Sequence, residues 1–479
     1  MSDNVIKETL GTQRQSRGTG RLLPTLIFVI SLASTVYCMS NQDVVPSVYK
    51  NLWILPFAQT IIIVLFYFII FKGDITRDIP SLIITLAYSL RNSFTPAIMT
   101  RDGVFYSKMG IASNEKIANI GIAVFIWETI VVFLLIGYYA YFGVRYKRIK
   151  RINANNQIFK LILFTGLVMS AALFFILPEL RTEYYTIFNS DITHIVTEEV
   201  VYSGGIKRAL STASNLIIEG ARTVACSYFI FYMRKKWNNT GSYLLSFIIV
   251  GLQFLFMNDS NAYIIMLALS LCILILKLYP ERKKKTIIAM VILSVVFAVL
   301  IAVNRFLQSS WAQSLSLFLQ GYFPGLSNFT SIERLTDMNV WQRLRQIIYD
   351  LYACVPFRST LFGYKGGMEN TNALWVAATG RRNQIMPNMA LGYFYFGGVL
   401  APVLSALMIR RSYKYYDKLQ QEYNPIRYTL YSYLFIYACL APVMYNNLIY
   451  LKMFLNRYLF MWIFSCFSNY SFDELEIQR

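Results

Sequence analysis

Charge is what this sequence has least of. Asp, Glu, Lys and Arg make up 15% of its 479 residues, whereas soluble globular chains carry roughly 25%. With 56% hydrophobic residues and a mean hydropathy of +0.45, an ordinary water-soluble domain is excluded. Histidine is almost absent: His194 stands alone, which rules out His-rich zinc motifs. The six cysteines are scattered, with Cys226, Cys272, Cys439 and Cys466 in apolar stretches and Cys354 in a polar one. They show neither a disulfide framework nor metal-ligand spacing. No Walker loop or Rossmann glycine pattern occurs, so a nucleotide-sugar donor has no cradle. Nor do the two halves repeat one another, which counts against the transporter plans built on paired repeats. No metal and no cofactor enter the expected chemistry.

What the chain does have is one apolar stretch after another. They cover Leu22 to Met39, Leu52 to Phe71, Ile79 to Ala97, Ile117 to Phe142, Ile158 to Pro178 and Leu210 to Met233. Six more follow: Tyr243 to Met257, Ala262 to Leu278, Thr286 to Val303, Met389 to Met408, Tyr428 to Tyr445 and Leu448 to Phe467. Most approach the roughly 20 residues that cross a bilayer as a helix. The expectation is an all-α, polytopic integral membrane protein of about twelve transmembrane helices, with a polar tail over 1–21 and a single membrane domain over 22–479.

Lys and Arg number 45 against 25 Asp and Glu. Most cations lie between apolar stretches, so the net charge of +20 orients helices and does not point to nucleic acid. When the twelve stretches alternate, Arg145 to Arg151, Arg234 to Lys236, Arg282 to Lys285 and Arg410 to Lys418 fall on the side of the N-terminal tail. The positive-inside pattern then makes both termini cytoplasmic.

By the same alternation the long polar interval from Asn304 to Pro387 lies outside. It mixes Arg305, Arg334, Arg343, Arg345, Arg358, Lys365, Arg381 and Arg382 with Trp311, Trp341, Trp375 and several tyrosines. Arginine forks grip phosphate oxygens and aromatic faces stack on sugars. Residues 331–351 read as a helix, and glycines and prolines break up the remainder. On this reading, a cysteine at Ser327 is open to labelling from outside. A shorter outer interval, Glu179 to Lys207, is more acidic and carries His194.

Charges inside apolar stretches cost about 2.5–3.5 kcal/mol each on insertion scales. Glu128, Glu219, Arg222, Lys452 and Arg457 should therefore face the bundle interior or a wet cavity. Glu219 and Arg222, three apart, share a helix face and are placed to pair, either as a structural lock or in a substrate cavity. Glu128 reads as a buried structural hydrogen-bonding group, and Arg91 as an interruption of the third stretch.

Two segments carry a resemblance. Phe256 to Ala262 reads as a tight outer turn entering an apolar helix, and Gln384 to Gly398 places Pro, Gly, aromatics and Phe-Gly at a helix entrance. Together with the long basic outer interval, this order resembles the Wzy-type oligosaccharide repeat-unit polymerases of bacterial surface polysaccharides. The resemblance spans about Leu210 to Met408. Asn258 to Asn261 stand where that family often has Gly and Arg. Arg381 stands eleven residues before Gly392, where related ligases carry a histidine.

The resemblance implies a glycosyltransferase of the bacterial cytoplasmic membrane. Its donor and acceptor would be polyprenyl-diphosphate-linked oligosaccharides, with a chain-length regulator protein as a further possible partner beside membrane lipid. An O-antigen-type ligase and a lipid-linked oligosaccharide flippase or exporter stay open as alternatives. The catalytic candidates are Arg381, Glu219 and Arg222, and the substrate-binding candidates are Arg305, Arg343, Arg345, Arg358, Arg382 and Asp259. For a base, Glu219, Asp259, Glu369 and His194 are all open. Arginines in a dry site can stabilise a departing diphosphate without a metal.

Overall fold

The computed structural model describes residues 22–70, 78–106, 114–142, 155–177, 205–237, 239–255, 261–308, 314–335, 338–355, 369–379 and 386–475. Among these residues every regular element is a helix and no strand occurs. The N-terminal half contributes α1 (Leu22–Ser40), α2 (Ile54–Ile63), α3 (Ile79–Ser89), α4 (Thr95–Asp102), α5 (Glu115–Phe142) and α6 (Asn156–Ile176). Next come α7 (Gly205–Trp237), α8 (Thr240–Leu252), α9 (Asn261–Leu278) and α10 (Lys283–Gln308). The polar interval supplies α11 (Leu315–Tyr322), α12 (Leu326–Thr330), α13 (Val340–Cys354) and α14 (Thr371–Thr379). The chain closes with α15 (Asn388–Leu400), α16 (Val403–Gln421), α17 (Pro425–Met444), α18 (Asn447–Met453) and α19 (Leu459–Cys466).

Helices occupy each of the apolar stretches, but length and composition alone qualify fewer of them as membrane crossings. Four are long and apolar enough: Ser47–Phe68, Glu115–Phe142, Asn156–Ile176 and Leu216–Trp237. Two sharply bent pairs raise the number to six. Pro24–Ser40 and Thr240–Leu252 are apolar but shorter than a span needs. The tenth stretch, expected as one helix, is two: α15 and α16 meet at 107°. Gly397, at φ 77°, makes this turn possible, since a side chain there would be strained. A Cβ on Gly392 would collide with the Ala401 carbonyl, so the returning chain packs directly on the glycine backbone.

Polarity is distributed as in a multi-pass membrane protein. Phe164, Val168, Phe175 and Ile176 of α6 point outward, as do Ile288, Val291, Ile292 and Val295 of α10. Meanwhile Gln59, Arg91, Asn92 and Glu128 are buried. Such an exterior would drive association in water and is at home against acyl chains.

The polar interval is a packed part of the fold. Leu326, Phe329, Ile332 and Trp375 share one buried cluster with Tyr49, Leu52, Phe125, Met389 and Phe394 from the bundle. The helix expected over 331–351 is a short 3-10 turn, Ser331–Leu335, followed by α13, which Asn339 starts with a capping box to Gln342. Ser327 is buried and donates to Gln320 Oε1 at 3.0 Å, so it is not the open labelling position expected of it.

Asp350 ties this layer together. Its carboxylate accepts the Thr371 amide at 2.6 Å and the hydroxyls of Thr371 and Tyr395, joining α13, α14 and α15. Gln346 Nε2 adds a bond to Glu369 O at 2.6 Å, and Trp375 Nε1 reaches Ser331 Oγ at 2.9 Å. Burial pushes the Asp350 carboxyl above the usual aspartate range, against the opposing pull of its hydrogen bonds. The folded state therefore holds a proton more tightly than the unfolded chain does. Docking of α13 and α14 should be firmest below the usual aspartate pKa and weaken as pH rises from there through the shifted value. Hydrogen exchange over 340–354 and 371–379, corrected for intrinsic rates, should show this slope, and Asp350→Asn should flatten it. An unchanged slope in the variant would assign the dependence to another group.

Candidate functional site

The most polar place in the bundle is built on an irregular helix. Between α3 and α4 the chain widens into a π-helical turn, Leu90–Phe94, where Thr95 Oγ1 bonds Leu90 O at 2.8 Å. Pro96 lies just inside α4. Such π segments recur at functional positions in helices. Here the wider turn buries three consecutive polar residues, Arg91, Asn92 and Ser93.

Arg91 Nη2 meets Glu128 Oε2 of α5 at 2.8 Å, and both side chains are essentially inaccessible to solvent. Tyr88 OH donates to Glu128 Oε1 at 3.1 Å, and Ser405 of α16 donates to the same oxygen. Arg91 Nε bonds Asn92 Oδ1 at 2.9 Å, and the guanidinium lies between the Tyr88 and Phe125 rings at 4.7 and 4.5 Å. Asn92 Nδ2 reaches Thr129 Oγ1 at 2.9 Å and Gln59 Oε1 at 3.3 Å. Beyond Ser405 the network continues to Asn388, which takes the Asn447 amide at 3.1 Å. A buried pair is tolerable only when its remaining donors and acceptors are met, and most of them are here.

Two groups of the turn, Arg91 Nη1 and Ser93 Oγ, are buried with no hydrogen-bond partner among the described residues. Arg91 borders a cavity of about 20 Å³, together with Asn92, Thr95, Phe125, Gln320 and Leu326. That is room for one water-sized group. Gln320 and Leu326 belong to α11 and α12, so helices of the polar interval roof the cavity. Ser316 of α11 fixes this roof, its amide donating to Asp102 Oδ2 at 3.0 Å and its hydroxyl to Val104 O at 2.8 Å.

The Glu219–Arg222 pair forms on α7 at 2.7 Å, with Glu219 buried and Arg222 mostly so. It stands one turn from Cys226, whose sulfur accepts Gln253 Nε2 at 2.9 Å. On α13 the two arginines diverge, as a spacing of two on a helix requires. Arg343 is half-buried, with Nε bonded to Met338 O at 2.9 Å and its guanidinium 5.8 Å from the Phe394 ring. Arg345 is exposed beside Tyr349 at 5.2 Å. The two do not grip one ligand together, and no ion pair or hydrogen bond between the described residues links either to Glu219 or Arg222. Arg305 lies in α10, while Asp259, Arg358, Arg381 and Arg382 fall outside the described residues, as does His194. Glu369 is exposed. Among the described residues no group of His, Cys, Asp or Glu is placed to hold a metal ion.

Arg91 and Glu128 are each visible in the sequence as a charge within an apolar stretch, but their pairing is not. The available signal was one charge of each sign in neighbouring apolar stretches. Comparison with protein-family models, curated proteins and solved structures finds no match to this chain.

Removing one partner of a buried pair strands the other, at a cost of about 3–5 kcal/mol. Glu128→Leu alone should lower stability by that order in detergent thermal unfolding. Arg91→Met combined with Glu128→Leu should recover most of the loss. Equal losses in the single and double variants would mean that the pair carries no mutual compensation.

Proposed function

We propose that this chain is a membrane glycosyltransferase that polymerises polyprenyl-diphosphate-linked oligosaccharide repeat units on the outer face of the bacterial cytoplasmic membrane. In this reading it crosses the membrane twelve times, keeps both termini in the cytoplasm and uses no metal. A separate chain-length regulator is a partner that suits such a polymerase.

The observation that carries the reading is α13. One side of this helix is anchored by Gln346, Asp350 and Cys354. The opposite side exposes Val340, Trp341, Leu344, Ile348 and Leu351, with the Arg345 cation at its edge. A lipid diphosphate has an apolar tail and an anionic head, and α13 offers surface to both. Arg343, held against the entry of the bent α15–α16 pair, supplies a second cation for developing charge on the leaving diphosphate. Arg381 and Arg382 stand next to that entry in sequence and suit the same role. The basic residues Arg234, Lys235 and Arg282 gather at the other end of the bundle, where Arg234 pairs with Glu281 and Arg282 bonds Thr240. This supports the topology.

Purified protein given synthetic lipid-diphosphate repeat units should yield a ladder of longer products. A single transfer product would indicate a ligase instead, and transport without product a flippase. Charge-assisted contacts are worth about 1.5–3 kcal/mol. Arg343→Ala and Arg381→Ala should thus each cut the ladder roughly ten- to hundredfold at normal membrane level, with Lys restoring little because the fork is lost. Wild-type ladders from both variants would remove these arginines from the site.

Topology has its own check. The exposed Glu369 replaces Ser327 as reporter, in a background where the partly exposed Cys226 and Cys466 are changed to Ser, since Cys38, Cys272, Cys354 and Cys439 are buried. Glu369→Cys should react with an impermeant thiol reagent in intact spheroplasts. Reaction only after lysis would invert the orientation.

A further inference from the structure

A cavity of about 810 Å³ opens at the end of the bundle away from the polar interval. The axis of α3 and α4 shows the separation: Ile79 borders this cavity and Met99 borders the small one beside Arg91. Twenty residues of helix lie between them, roughly 30 Å at 1.5 Å per residue. The volume falls in the usual range for ligand pockets, roughly 300–1,000 Å³. Its wall is apolar, with Ile83 from α3, Ile273 and Leu276 from α9, and Phe435 from α17.

The rim carries three cations, of which one is already engaged. Arg234 Nη1 lies 2.9 Å from Glu281, with its guanidinium 4.5 Å over Tyr279. Lys277 and Lys283 are exposed, and neither meets a carboxylate among the described residues. Lys277 Nζ lies 5.8 Å from the centre of the Phe472 ring. Two carboxylates face them. Asp473 is exposed at the mouth. Glu422 is buried, its Oε1 taking the Asn424 amide at 2.9 Å and lying 3.4 Å from Arg427 Nε. Glu422 Oε2 has no hydrogen-bond partner among the described residues. A fitting ligand therefore brings an anion for the lysines, a hydrogen-bond donor for Glu422 and an apolar body for the wall.

We propose that this cavity holds one anionic membrane phospholipid whose head carries hydroxyl groups. The phosphate sits on Lys277 and Lys283, a head hydroxyl donates to Glu422 Oε2, and the acyl chains run along Ile83, Ile273 and Phe435. A free phosphate would satisfy the lysines and leave the apolar wall wet. The proposal does not rest on the polymerase reading, because it uses the opposite end of the molecule.

Native mass spectrometry of the full chain, loaded with phosphatidylglycerol or phosphatidylcholine, tests it. The wild type should retain phosphatidylglycerol in preference. Near-surface lysines each contribute modestly to anionic lipid binding, so Lys277→Gln with Lys283→Gln should weaken retention by roughly thirtyfold. Ile273→Trp, which fills the wall and leaves every charge in place, should also displace the lipid. Equal retention of both lipids, or undiminished retention in the double lysine variant, overturns the proposal. So does displacement of phosphatidylglycerol by inorganic phosphate at equal concentration, which would make the site a phosphate site only.

Discussion

The arrangement turns on one buried ion pair. Taking an arginine and a carboxylate out of water costs several kcal/mol per ion, and their attraction offsets this only at close range with the leftover hydrogen bonds met. Arg91 and Glu128 meet the first condition at 2.8 Å and the second at every atom except Arg91 Nη1, helped by Tyr88, Asn92, Ser405 and two flanking rings. Each helper comes from a place that must then stay put. Ser405 carries the constraint into α16, Asn388 into α15 and Asn447 into α18, so the bend between α15 and α16 is pinned from within.

The polar interval depends on that core from the other side. Its helices lie over the Arg91 turn through Gln320, Leu326 and Phe329, while α13 and α14 hang on Asp350. A basic stretch of this length could have been a solvated tether. Instead its buried apolar residues join the bundle cluster, and each buried aromatic side chain that does so is worth a few kcal/mol. Cations on α13 are consequently presented from a rigid platform, which lowers the ordering cost of any anionic ligand they meet.

Much of the helical plan was legible in the sequence, because apolar runs of near-spanning length leave few alternatives. The start of α5 at Glu115 and the end of α7 at Trp237 lie within a few residues of the stretches that announced them. The Glu219–Arg222 contact was legible too, since i,i+3 spacing on one helix fixes the distance. Arg91–Glu128 was not, because the register between separate helices is set by packing that no local pattern encodes. Nor was the bend at Gly397, where a continuous apolar run from Met389 to Met408 hid a glycine in a conformation other residues avoid. The role of Asp350 was not legible either, because its three donors come from residues 21 and 45 positions away.

The π-helical turn at Leu90–Phe94 also limits how this chain can change length. A π turn holds one residue more than the α turn it replaces, so deleting a residue there would leave a continuous helix. Because the wide turn and the α turn it replaces cover nearly the same angle, the deletion would leave Thr95, Met99 and Asp102 on the faces on which α11 and α12 rest. What it would remove is the wider turn in which Arg91, Asn92 and Ser93 are buried side by side, so a descendant that loses this residue should keep the roof and lose the ion pair beneath it.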